Sequence, residues 1–61
     1  MTNTTERLRT FERGDTVRFD GAREWRQPFT VTVEYHSGTY RIEDKFGQPV
    51  VSVDPTRLTP A

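Results

Sequence analysis

Apolar and polar residues alternate with a period of two over most of the chain beyond Gly14. Thr16-Val-Arg-Phe-Asp20 sets Val17 and Phe19 on one face, with Thr16 and Arg18 on the other. Phe29-Thr-Val-Thr-Val-Glu-Tyr35 directs Phe29, Val31, Val33 and Tyr35 inward and Thr30, Thr32 and Glu34 outward. Thr39-Tyr-Arg-Ile-Glu-Asp44 places Tyr40 and Ile42 inward, and Gln48-Pro-Val-Val-Ser-Val53 places Val51 and Val53 on one face and Val50 on the other. Strict alternation rich in β-branched and aromatic residues predicts half-buried strands. The expected core is Val17, Phe19, Phe29, Val31, Val33, Ile42, Val51, Val53 and Leu58.

Turn chemistry fills the gaps between these runs. His36-Ser37-Gly38 and Lys45-Phe46-Gly47-Gln48 read as tight hairpin connections, and Pro49 stands where a strand begins and needs no ladder N–H. A longer loop opens at Asp20-Gly21 and runs through Gln27-Pro28, while Asp54-Pro55-Thr56-Arg57 predicts a single 3₁₀ turn before Leu58. Ahead of Gly14, the only apolar residues between Thr5 and Arg13 are Leu8 and Phe11, three apart. That spacing suits one or two helical turns capped at Gly14, and equally an arm pinning both side chains over the end of a sheet. The chain therefore divides into an N-terminal arm or short helix over 1–13 and an antiparallel all-β domain of five strands over 14–61.

The order of strand, long loop, strand, tight hairpin, strand, tight hairpin, strand, 3₁₀ turn and short strand resembles the SH3-like small β-barrels, the group containing SH3, Tudor and KOW modules. The residues that carry the resemblance are Gly14-Asp-Thr-Val17, Phe29-Thr-Val-Thr-Val33, Tyr40-Arg-Ile-Glu-Asp44 and Val51-Ser-Val-Asp-Pro-Thr-Arg-Leu-Thr-Pro60. The resemblance covers residues 14–60 and implies a five-stranded SH3-like barrel; it implies a fold and not a function. The Ala-Leu-Tyr-Asp-Tyr type of opening found in proline-binding SH3 domains is missing here, which points away from PxxP recognition.

Composition narrows the function classes. With 61 residues, one domain is expected, and a chain this short buries only about 60% of its extended surface on folding. There is no cysteine, hence no disulfide and no thiolate metal site. Val50-Val51 is the longest apolar run, far below the ~20 residues of a membrane span. The first six residues carry neither a basic nor an apolar signal region, so the expected location is the cytoplasm. Nine basic residues balance nine acidic ones, which removes the domain-wide positive field of a non-specific nucleic-acid binder.

Catalytic chemistry finds little support in these residues. The single histidine, His36, sits beside Ser37 on a tight turn that faces solvent, and Glu43 and Asp44 are strand neighbours that point to opposite sides. One histidine and scattered carboxylates make a poor metal set, and the four glycines are isolated rather than gathered in a phosphate loop. The expectation is a non-enzymatic binding or adaptor module without cofactor or metal.

Binding chemistry concentrates in Gly21-Ala-Arg-Glu-Trp-Arg-Gln-Pro28, where the only tryptophan is flanked by Arg23 and Arg26. Two roles stay open for Trp25: a lid over one end of the core, or a contact residue that stacks on a ligand or anchors an interface. The candidate contact set is Arg23, Trp25, Arg26, Tyr35, Tyr40 and Phe46. A protein partner is favoured by the zero net charge; single-strand or RNA binding through the Trp25 loop is the alternative. The chain is expected as a monomer or a weak homodimer, the latter resting on an outward Val50 and on Leu8 and Phe11.

Overall fold

The structure is a computed structural model that describes residues 11–61. Five antiparallel strands, β1 (Thr16–Phe19), β2 (Phe29–Glu34), β3 (Tyr40–Glu43), β4 (Pro49–Val53) and β5 (Leu58–Pro60), form one sheet in the order β4-β3-β2-β1-β5. A 3₁₀ turn at Glu24–Arg26 interrupts the long loop, and another at Pro55–Arg57 leads into β5. The sheet is open: β4 and β5 are its two edges, so the expected closed barrel is not formed. Both edge strands are poorly suited to closing it. β5 has three residues and ends in Pro60, and β4 starts at Pro49 and is bulged.

Both tight hairpins follow their turn chemistry. Each is a three-residue connection closed by backbone hydrogen bonds, Tyr35 N to Thr39 O and Asp44 N to Gln48 O. Its last residue, Gly38 or Gly47, has φ of +92° or +85°. A turn followed by a left-handed residue matches the twist of the flanking strands, and glycine adopts it without a Cβ penalty.

Nine side chains form the core: Phe11, Val17, Phe19, Phe29, Val31, Tyr40, Ile42, Val53 and Leu58, with Ala22 and Val50 packed against them. Seven were expected as core, and two expected members are absent. Val33 and Val51 are exposed, and each lies beside a bulge. Opposite β3, β2 advances two residues from Val31 to Val33 while β3 moves one, from Ile42 to Arg41. That slip breaks the alternation: Val33 is exposed and Tyr35 is left only half-buried. Thr32 secures the bulge by donating to Arg41 O at 3.0 Å and accepting from Arg41 Nη1 at 2.9 Å. On β4, Val50 faces Ile42 and Val53 faces Tyr40, so Val51 and Ser52 share the space of one residue. Ser52 takes a φ of +57°, Val51 turns out at 59% exposure, and Val50 turns towards the core instead of away from it.

Phe11, the first described residue, belongs to the core. Its ring meets Tyr40 edge-on at 5.8 Å and 79°, and its N–H donates to the Tyr40 hydroxyl at 3.0 Å. Phe11 thus contributes to the core of the β domain; Leu8, and with it the choice between arm and helix, lies outside the described residues. Of the residues on which a homodimer was expected to rest, Phe11 is buried in this core and Val50 is half-buried against it.

Candidate functional site

Two connections meet at one end of the sheet: the long β1–β2 loop and the β3–β4 turn. Asp44, the last residue before the turn, is the joint. Its side chain is only 2% exposed, and Oδ1 accepts from the N–H groups of Phe46 and Gln48, both at 2.8 Å, closing the turn from within. Its Oδ2 accepts from Arg26 Nε at 2.7 Å, and Lys45 N donates to Arg26 O at 3.2 Å. Burial opposes the charge on Asp44, but the Arg26 hydrogen bond and the two backbone donors outweigh it and hold the carboxyl below its ordinary pKa. The guanidinium of Arg26 also lies over the Phe29 ring, 5.4 Å from its centroid. Arg26 therefore ties loop, turn and core together.

The side-chain amide of Gln27 shapes the other half of the loop. β1 and β2 pair only at Thr16–Thr30 and Val17–Phe29, so Phe19 has no β2 residue beside it. Gln27 fills the gap: Oε1 accepts from Phe19 N at 3.0 Å, and Nε2 donates to Phe19 O at 2.7 Å and Ala22 O at 3.2 Å. A side-chain amide offers one acceptor and one donor set, as a peptide unit does, so it extends the ladder by one step. The next peptide bond, Gln27–Pro28, is cis.

With the loop clipped at both ends, Trp25 stands out at the crest of the 3₁₀ turn, 59% exposed, and Phe46 stands out from the opposite turn at 68%. Their ring centroids are 5.9 Å apart at 50°. Between loop and turn lies an open groove of about 700 Å³, walled by Trp25, Phe46, Arg23, Arg26, Pro49 and Val50. The lid role considered for Trp25 is not its role here; Gln27, Arg26 and Arg57 cover the core, Arg57 lying 5.3 Å over the Phe19 ring.

Four of the six candidate contact residues, Arg23, Trp25, Arg26 and Phe46, thus meet at one groove. Tyr35 and Tyr40 do not line it. Tyr40 is a core residue opposite Glu34, and Tyr35 follows the end of β2, so the two tyrosines do not face each other across the hairpin. Lys45, Pro49 and Val50 were not read as site residues. Lys45 is the sequence neighbour of Phe46 and places Nζ 5.9 Å over its ring, whereas Pro49 and Val50 reach the groove only because β4 begins there.

The charges around the groove are unevenly satisfied. Glu24 is hydrogen-bonded to Arg18, which is the main reason its carboxyl sits below its ordinary pKa; Lys45 adds a weaker pull at longer range. A neighbouring concavity of about 280 Å³ contains the Arg18–Glu24 and Arg57–Asp20 pairs and so presents matched charges. Arg41, on the outer face, is paired with Glu43 at 2.7 Å. Among the described residues, Arg23 and Lys45 form no ion pair, and no group of three or more metal-ligating side chains occurs. No helix there is long and apolar enough to cross a membrane. Compared with protein-family models, curated proteins and solved structures, the chain matches none.

Proposed function

We propose that this chain is a small non-enzymatic binding module that engages a protein partner through the Trp25–Phe46 groove, on a strand arrangement similar to that of the SH3-like small barrels. The strand order, with the last strand beside the first, and the 3₁₀ turn before β5 support the likeness in architecture. The observation that carries the function is a pair of large exposed aromatic side chains, one on the loop and one on the turn that the part-buried Arg26–Asp44 ion pair joins. A folded chain has no need to expose Trp25 and Phe46 together for stability, whereas interface anchors are commonly exposed aromatic groups beside arginine. The Asp44–Arg26 joint orders loop and turn before any partner arrives, which lowers the entropy lost on binding.

Nucleic acid is the second reading, since Trp25 and Phe46 beside Arg23 and Lys45 could stack bases and pair phosphates. Protein is favoured because Arg26 is already committed to Asp44 and the described residues carry eight acidic against seven basic side chains. The test is affinity capture by the full chain beside its Trp25→Ala variant. Proteins retained by the parent and lost from the variant, at high as at low salt, are the expected result. Retention of nucleic acid alone, falling steeply with salt, would replace the protein reading; equal retention by parent and variant would remove the groove from it.

A further inference from the structure

Resting on that reading of the groove, we infer that its occupant is an acidic peptide segment, with an aliphatic side chain seated against Trp25 and Phe46 and carboxylates facing Arg23 and Lys45. Charge complementarity carries the inference. The described residues are acidic by one charge in total, yet the two cations beside the groove, Arg23 and Lys45, form no ion pair. The nearby carboxylates are taken: Asp44 by Arg26 and the turn N–H groups, Glu24 by Arg18. What an incoming chain meets is thus locally positive in an otherwise acidic domain. A carboxylate reaching Arg23 gains a charge-assisted hydrogen bond without displacing an existing partner.

The apolar half of the ligand follows from the walls. Trp25, Phe46, Pro49 and Val50 present apolar surface, and the two rings, packed on each other at 5.9 Å and 50°, form an angled wall rather than a flat one. An angled wall suits a branched aliphatic side chain better than a planar base, which needs a flat face above or below it. Two cations also neutralise few phosphates, so a polynucleotide would gain little of the counterion release on which its affinity depends.

The test is selection of random linear peptides displayed on phage against the full chain, with Trp25→Ala as counter-selection. Enriched peptides should combine Asp or Glu with an aliphatic residue. Synthetic versions with the acids changed to amides should bind the parent about tenfold or more weakly. The double reversal Arg23→Glu, Lys45→Glu alters two exposed side chains, and its selection should turn towards basic peptides. Unchanged thermal unfolding of both variants excludes loss of fold as the cause. Enrichment of neutral or basic peptides by the parent, or of none, overturns the acidic-peptide inference and leaves the protein-binding reading to the capture experiment. If no enriched peptide changes the fluorescence of Trp25, the only tryptophan, while oligouridylate does, both are overturned.

Discussion

Gln27 is a side chain doing the work of a strand residue, and removing its amide tests that directly. Gln27→Met keeps length and approximate volume but leaves Phe19 N, Phe19 O and Ala22 O without its three hydrogen bonds. A buried backbone group left unpaired costs about 1–3 kcal/mol. Phe19 O keeps a weaker bond from Ala22 N at 3.3 Å, so the principal loss is the Phe19 N–H. The expected destabilisation is about 2–4 kcal/mol. That is a large share of the roughly 3–9 kcal/mol expected for a chain of this length. In urea, with a slope near 1 kcal/mol/M for so small a domain, the midpoint should fall by about 2 M or more. Amide hydrogen exchange should quicken at Phe19 more than at Val17, whose cross-strand neighbour on β2 is Phe29. Gln27→Glu sharpens the test. Its carboxylate still accepts from Phe19 N but faces two carbonyl oxygens where the amide donated. The buried carboxyl is favoured in its protonated form, so its folded pKa rises; its deficit against the parent should narrow as pH falls towards about 4, the ordinary glutamate range. A midpoint for Gln27→Met within about 0.5 M of the parent would refute the reasoning.

Gly21→Ala would bring a Cβ to 2.6 Å from Phe19 Cζ and 3.0 Å from Cε1; the cost in chemical denaturation should be about 1–3 kcal/mol. Tyr40→Phe keeps the edge-on contact with Phe11 but removes the acceptor of its N–H, and calorimetry should show a loss of about 1–2 kcal/mol, or a melting temperature lower by about 4–8 °C per kcal/mol. Asp44 has a folded pKa below its unfolded one, so its contribution is fully present above the ordinary aspartate range and is lost as pH falls through the folded value; Asp44→Asn should flatten the acid limb of a circular-dichroism titration. Trp25→Ala removes a side chain 59% exposed and outside the core, and should leave the urea midpoint within about 0.5 M of the parent while abolishing capture through the groove.

The sheet was legible because its information is local. Alternation in Thr16–Phe19, Phe29–Val31 and Tyr40–Glu43 reports which face is buried, and Gly38 and Gly47 mark turns whose left-handed backbone other residues resist. Asp44 closes its turn from the position just before Lys45-Phe-Gly47, a place where local chemistry favours an aspartate. Where the reading failed, the cause was a relation between distant residues. A bulge arises from how two strands share a register, so nothing within Val31-Thr-Val33 or Val50-Val-Ser-Val53 announces that Val33 and Val51 turn out.

The candidate site divides along the same line. Trp25 between two arginines and Phe46 in a turn were apparent as candidate contact residues, with a lid role for Trp25 left open. Their meeting was not, because Arg26 and Asp44 are eighteen positions apart and become partners only when the loop folds back over β3 and β4. Tyr40 shows the converse: its aromatic ring and hydroxyl suit a binding surface as well as a core, and packing against Phe11 decided between them. Period and turn chemistry act over a few bonds and so are written in the chain itself. Register, ion-pair partners and the exposure of an aromatic ring depend on which segments come to lie side by side, and only the tertiary structure decides that.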